Sequence, residues 1–407
     1  MTEPTSNVRP DAPSHKSLAD LDVAGKRVLV RVDYNVPQDE QGKITDDSRI
    51  RETLPTLRYL KDAGARIVLV SHLGRPDGKP NPKLTLAPVA RALQTLIGSP
   101  VAFATDTIGP DAQAKARDLP AGGILLVENV RFHPEEEAND PAFAAELAKL
   151  GDVYVNDAFG TAHRAHASTA GVAVYLPSAA GLLMDRELRA LGSVLENPAR
   201  PLSAIIGGAK VSSKIAVLEN LISRVDALII GGGMACTFLR SQGLEIGRSL
   251  VEPDKVELAG DLLKRAAERG VTVLLPVDAV CADSIDDSAR TIVVDVDKIP
   301  PDMMMVDIGP KSVDLFARTI KASRTILWNG PMGIFERKPF AAGTAGIAKA
   351  VAESGATTIV GGGDTVAAIE QFSDPSLFSH VSTGGGASLE FLEGRTLPGV
   401  AALERSK

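Results

Sequence analysis

Short runs rich in valine, isoleucine and leucine alternate along the chain with amphipathic stretches of helical length. That alternation predicts βα units and parallel sheets. In the first half the apolar runs fall at 27–32, 66–70, 124–127 and 153–155. In the second half they fall at 203–206, 227–230, 272–275, 291–294, 325–328 and 358–360. All are apolar enough to be covered on both faces, as strands of a parallel sheet are. Residues 181–196 place leucines and charges at helical spacing, and Asn197-Pro198 followed by Pro201 ends the pattern. Pattern alone also allows an ordinary surface helix within one domain; the change in loop chemistry on its two sides makes it a connector.

At 407 residues the chain exceeds the size at which one hydrophobic core usually keeps growing. The expected fold is therefore α/β, with two Rossmann-like lobes, each a mainly parallel sheet flanked by helices, joined by a connecting helix. The expected boundaries are a disordered polar, Pro-rich extension over 1–17, a first lobe over 18–183, an interdomain helix over 184–199, a second lobe over 200–393 and a final segment over 394–407. A composition with 44% hydrophobic and 23% charged residues belongs to a globular chain. The net charge of -7 argues against nucleic acid or an anionic membrane as partner and favours a small molecule. Cys236 and Cys281 are too few for a disulfide framework and have no metal-ligand spacing, which fits a reduced, cytoplasmic setting. No apolar run approaches the ~18 residues of a membrane span, and the first residues lack the apolar core of a signal peptide.

In open parallel sheets ligands bind outside the carboxyl ends of the strands. In the first half those positions are polar and mostly cationic: Asp33 and Asn35 after the first run, His72 and Arg75 after the second, Arg131 after the third, Arg164 after the fourth. Arg49 adds a cation at the start of a helix expected to begin near Thr45 and Asp46. Five cations, Arg49, His72, Arg75, Arg131 and Arg164, are expected to converge on one sheet edge, where guanidinium forks clamp phosphate and carboxylate oxygens. Asp33 and Asn35 would receive a hydroxyl. His163 and His166 invite a metal reading, but with no third ligand in view orienting or packing roles are expected.

In the second half several runs lead into glycine clusters: Gly207-Gly208, Gly231-Gly232-Gly233, Gly361-Gly362-Gly363 and Gly384-Gly385-Gly386. Glycine lets the backbone approach a phosphate, and a helix N-terminus offers free amides to an anion. Four such loops in one lobe point to a nucleotide or polyphosphate. Neither G-x-x-x-x-G-K-[ST] nor G-x-G-x-x-G occurs, so the lobe is neither an ordinary P-loop nor a standard dinucleotide fold. Lys210 and Lys214 are four residues apart and are expected to share a helix face, with both ammonium groups reaching one phosphate chain. Asp364 either caps the helix that begins after the glycines or holds magnesium with the phosphates. Glu336 could accept ribose hydroxyls.

These residues also resemble a known family, phosphoglycerate kinase, over about 18–403. The resemblance rests on RVDYNVP (31–37), SHLGRP (71–76), ENVRFHPEE (128–136), NDAFGTAHRAHAS (156–168), GGAKVSSKI (207–215), WNGPMGIFE (328–336), GGGDT (361–365) and STGGGASLE (382–390). It implies that Asp33, Asn35, Arg49, His72, Leu73, Gly74, Arg75, Arg131 and Arg164 bind 3-phosphoglycerate or 1,3-bisphosphoglycerate. It implies that Gly208, Lys210, Lys214, Gly232, Met305, Asn329, Glu336, Gly362, Gly363, Asp364 and Thr365 bind ADP or ATP, with Mg2+ bound with the nucleotide at Asp364. Catalysis would fall to Arg49, Lys210, Lys214, Gly362 and Gly363. The resemblance further implies a monomer, hinge-type domain closure and a final segment that returns to the first lobe. Two positions depart from the family pattern: Tyr34 stands where Phe is usual, and Met305 where relatives commonly carry Gly beside the nucleotide.

Overall fold

The computed structural model describes residues 15–404, so most of the expected extension lies outside the described residues. The chain divides into two compact units, one running to Arg189 and including the segment from Thr396, the other Ala190–Arg395.

In the first unit β1 (Arg27–Arg31), β2 (Arg66–Val70), β3 (Val101–Phe103), β4 (Ile124–Leu126), β5 (Val153–Asn156) and β6 (Ser178–Ala180) form one sheet in the order β3-β4-β2-β1-β5-β6. Every neighbouring pair is parallel. Branched side chains such as Val28, Val30, Ile67 and Leu69 pack with Ile50, Leu54, Leu57 and Leu60, which recur at helical spacing along the helix Ser48–Asp62. Fully burying one such side chain contributes about 1.5–3 kcal/mol, and this packing is what fixes the strand ends that carry the polar loops.

The expected disorder does not extend through residues 15–17. Ser17 bridges edge strand β6 at Ala180 and His15 bridges Glu404, while the Lys16 amide donates to the Leu403 carbonyl at 3.1 Å. The unpaired edge of β6 supplies backbone partners that no local sequence pattern announces. Gly399 also sits on this unit, its amide 2.8 Å from the Ala162 carbonyl.

The second unit contains β7 (Leu202–Ile206), β8 (Ala227–Ile230), β9 (Thr272–Leu274), β10 (Asp278–Ala282), β11 (Thr291–Asp295), β12 (Met304–Ile308), β13 (Thr325–Asn329), β14 (Thr357–Gly361) and β15 (His380–Val381). Six of them make a parallel sheet in the order β15-β14-β13-β7-β8-β9, and the other three an antiparallel sheet in the order β11-β10-β12. The run at 291–294 is therefore not a doubly covered parallel strand: as β11 it lies at an edge with Val293 57% exposed. Strands β3, β6, β10 and β12 are not among the expected runs, because they are short or carry small, acidic or methionine residues in place of a branched apolar run. The connecting helix forms as Leu182–Glu196, as the helical spacing read at 181–196 predicts and not over the full 184–199, and the division between units falls within it. Among the described residues no helix is long and apolar enough to cross a membrane.

Candidate active site

The polar loops of the first unit leave β4, β2, β1 and β5, which are adjacent in the sheet, so their carboxyl ends lie side by side. Asn129 ties two of the loops: its amide nitrogen donates to the Leu73 carbonyl at 2.8 Å and its oxygen accepts from the Arg131 amide at 3.1 Å. Asn35 Oδ1 accepts from the Gly74 amide at 2.9 Å, and Arg131 donates to the Gly74 carbonyl at 2.8 Å. Arg75, Arg131 and Arg164, with His133, Glu137 and His166, line a cavity of about 300 Å³. Asp77 and Glu137 also line it, and Glu137 pairs with Arg131 Nε at 3.0 Å, so the three guanidinium groups outnumber the carboxylates there.

Arg49 does not line that cavity. It pairs with Asp33, whose Oδ1 lies 3.8 Å from His72 Nδ1. The helix that carries it begins at Ser48, later than expected, because the Asp46 carboxylate captures the Ser48 amide at 2.8 Å. His72 corrects the five-cation reading. Burial pushes its imidazole well below the usual range; Asp33 opposes this, and Arg31, Arg131 and Arg164 reinforce it. Of the five expected cations, three arginines line the cavity, and Arg49 and the buried His72 ring do not. His166 likewise is pushed down to about 4 by burial and then by Arg31, Arg131 and Arg164. His163 accepts from Arg164 Nε at 3.2 Å, and no group of three or more His, Cys, Asp or Glu suited to a metal occurs among the described residues.

Sequence reasoning passes over Arg31, Glu136 and Ser168, all nearly fully buried behind this surface. The available signal is at the end of β1: an arginine between Val30 and Val32, inside a run of valines and leucine. Tyr34, the departure from the family pattern, buries its hydroxyl against Thr53 Oγ1 at 2.8 Å, away from any anion-binding role.

In the second unit the loops follow β15, β14, β13, β7 and β8, again neighbours in the sheet. A cavity of about 500 Å³ is lined by Gly208, Gly232 and Gly233, by the apolar side chains Leu250, Met305 and Ile334, and by Glu336 and Asp364. Gly232 adopts φ +68, and a Cβ there would meet the Gly208 amide and carbonyl at 2.6 Å, so no other residue fits without displacing the loop. Met305 packs its sulfur 3.7 Å from Cys236 Sγ and forms part of the cavity wall. Neither Gly384-Gly385-Gly386 nor Gly361-Gly362-Gly363 is part of the lining, so of the four expected glycine loops two supply glycines to the cavity, and the stretch after β14 contributes Asp364.

Lys210 and Lys214 do not share a helix face. Residues 210–214 form a turn before the helix Ile215–Ile222, with the Lys214 amide bonded to the Val211 carbonyl at 2.8 Å. Ser213 Oγ donates to the Lys210 carbonyl at 2.8 Å and Ser212 binds Glu252, side-chain bonds that compete with helix formation. Lys210 is exposed, whereas Lys214 reaches Asn329 Oδ1. Burial depresses the Lys214 ammonium below its usual range, against the pull of Asp364 and Glu393. Asn329 Nδ2 in turn donates to the Gly361 carbonyl at 2.8 Å, and Thr365 Oγ1 accepts from the Gly330 amide at 2.7 Å. Asp364 is not the helix cap; Gly362 holds that place with φ 94, and Gly363 opens the helix Gly363–Phe372. The Asp364 carboxylate is exposed at the rim of the cavity, and an accessible carboxylate beside bound phosphates suits Mg2+.

Comparison with known proteins gives a consistent result. A family model described as phosphoglycerate kinase matches residues 18–395. A phosphoglycerate kinase of Chloroflexus aurantiacus is 59% identical over 394 residues, covering 96% of this chain and 98% of the relative. The structure of phosphoglycerate kinase from Coxiella burnetii superposes with a TM-score of 0.90 at 44% identity, covering 96% of this chain and 98% of that one. That from Pyrococcus horikoshii OT3 gives 0.82 at 33% identity, covering 95% and 98%.

Proposed function

The chain belongs to the phosphoglycerate kinase family, and from that premise we propose that it moves a phosphoryl group reversibly between 1,3-bisphosphoglycerate and MgADP, giving 3-phosphoglycerate and MgATP. The observation that carries the assignment of sites is the contrast between cavities: one unit presents three arginines to a 300 Å³ cavity, the other the glycines of two loops and an apolar wall to a 500 Å³ cavity. The acid, with its two anionic ends, suits the first, and the nucleotide suits the second.

In the ATP-consuming direction the acceptor carboxylate is already ionised at neutral pH, so no general base is needed. Its oxygen forms a bond to the γ-phosphorus as the bond from that phosphorus to the ADP oxygen breaks. Negative charge spreads over the equatorial oxygens of a loose transition state. Arg131, Arg164 and Arg75 hold the acid, with Asp33, Asn35, His72 and the Leu73-Gly74 backbone orienting it. Arg49, Lys210, Lys214 and the amides of Gly362 and Gly363 stabilise the phosphoryl group in flight. Gly208, Gly232, Met305, Asn329, Glu336 and Thr365 hold the nucleotide. Asp364 would hold Mg2+, which supplies charge neutralisation on the phosphates when bound.

Because the ligands occupy different units, transfer requires them to be brought together with water excluded, and we assign that motion to closure about the helix Leu182–Glu196. Small-angle scattering should give a smaller radius of gyration with both ligands bound than with neither. A reduced, cytoplasmic setting completes the reading, both cysteines being free and buried, and a monomer is what the family resemblance implies. The assay is ADP release from MgATP and 3-phosphoglycerate, with hydroxylamine trapping the acyl phosphate. Activity that disappears in Arg49→Ala supports both the reaction and the role of Arg49; wild-type protein that binds nucleotide without turnover overturns the proposal.

A further inference from the structure

Four segments of the first unit each send one buried side chain into a single hydrogen-bonded chain. Arg31, ending β1, is 1% exposed; Glu136, 0%; Ser168, 2%; His72, after β2, 3%. Arg31 Nε donates to Ser168 Oγ at 2.7 Å, one of its terminal nitrogens donates to the Val32 carbonyl, and the other lies 3.2 Å from His72 Nδ1. Ser168 donates its hydroxyl to Glu136 Oε1 at 2.6 Å and its amide to Oε2 at 2.9 Å. A guanidinium has only donors, so the directions along this chain are fixed. The Ser168 hydroxyl receives from Arg31 and must pass its own proton toward Glu136. His72 Nδ1 receives from Arg31 and so carries no proton. Asp33, the other group facing that nitrogen, is 3.8 Å away, too far to compete as a hydrogen-bond acceptor.

We infer that Glu136, Ser168 and Arg31 are positioning residues that hold His72 in its neutral, Nε2-protonated form, so that this ring serves the anion pocket as an oriented hydrogen-bond donor and not as a cation. Glu136 supplies the counter-charge that keeps a buried Arg31 tolerable. Sequestering Arg31 in this way also keeps its charge from competing with Arg131 and Arg164 for the ligand. The inference rests on the proposed binding of the phosphoglycerate acid in this pocket for its functional consequence, though not for the state of the ring.

The test is 15N nuclear magnetic resonance of the ligand-free full chain labelled at histidine, at pH 7, with the His72 signals assigned by their loss in His72→Gln. The expected signature is two widely separated ring nitrogens with a directly bonded proton on Nε2 alone. Nearly coincident nitrogens, meaning an imidazolium, or a proton on Nδ1 would overturn the inference. Because replacing buried Arg31 risks unfolding, the chain is tested through Ser168→Ala. That variant should give a mixture of ring tautomers and raise KM for 3-phosphoglycerate about tenfold, the worth of one hydrogen bond, while KM for nucleotide stays within about twofold. An unchanged ring signature with unchanged KM would remove Glu136 and Ser168 from the role. Turnover is read separately: its absence in the wild type would count against the proposed reaction, whereas the ring signature alone decides the state of His72.

Discussion

The first unit lines its cavity mostly with charged side chains, whereas the second combines glycine backbone and an apolar face with a few charged groups. Around the first cavity the walls are Arg75, Arg131 and Arg164, in loops tied together through Asn129, Asn35 and Gly74. Around the second, glycine backbone at Gly208, Gly232 and Gly233 lies beside an apolar face of Leu250, Met305 and Ile334, with the charged side chains Arg248, Asp307, Glu336 and Asp364 completing the wall. A compact acid with two anionic ends offers little besides charge, so arginine forks must recognise it. A nucleotide offers a chain of phosphates that backbone amides can track and a base that apolar side chains can cover. Similar parallel sheets thus carry loops of different chemistry at their carboxyl ends.

The largest effect that sharpens this contrast is expected at Lys210, the exposed ammonium beside the first glycine loop. Lys210→Ala should lower kcat by about 10²–10³-fold, the scale of losing one transition-state donor, with modest change in KM for 3-phosphoglycerate. Wild-type turnover in steady-state assays would refute the role.

A smaller effect compares the two units' buried aspartates. Burial raises Asp157 to about 6, against bonds from Thr56, Met184 and Leu183, and raises Asp307 to about 7, against bonds from Gly343 and Ile308. Each folded-state value lies above the unfolded value of about 3.9, so the native state binds the extra proton. The stability this gives is present in full below pH ~4 and is lost as pH rises through 6 for Asp157 and through 7 for Asp307. Asn variants should therefore gain on wild type between pH 4 and these values, by about 2–4 °C for each kcal/mol involved, with the gain for Asp307→Asn continuing to higher pH. Thermal melts from pH 4 to 8 that run parallel for variant and wild type would show that neither proton is taken up.

Legibility in the sequence divides along similar lines. Arg75, Arg131 and Arg164 can be found because each stands after an apolar run, where a parallel sheet binds ligands, and the structure brings them to one cavity. Gly208 and Gly232 can be found because glycine pairs and triplets at helix starts have few other uses. Arg31 shows only as an arginine among the valines of β1, and Glu136 and Ser168 show nothing, since a buried polar group is recognised by partners that arrive from distant segments. The turn at 210–214 looks like helix from the spacing of its lysines, because spacing carries no information about Ser212 and Ser213 bonding away from it. Strand β12 is hidden because its Asp307 and paired methionines break the apolar run, although four of its residues, Met304 to Asp307, line the second cavity.

If acid and nucleotide are bound by separate units, by charge in one and by backbone in the other, single substitutions must separate the two affinities. Calorimetric titration of Arg131→Ala and Gly232→Ala with 3-phosphoglycerate and with MgADP makes that separation visible. Arg131→Ala should lose about one to two orders of magnitude in affinity for the acid, the worth of a charged hydrogen bond, and keep nucleotide affinity. Gly232→Ala, strained at positive φ and crowded against Gly208, should do the reverse. If either substitution weakens both ligands equally in a protein that remains folded, or weakens the opposite one, the division of labour is wrong.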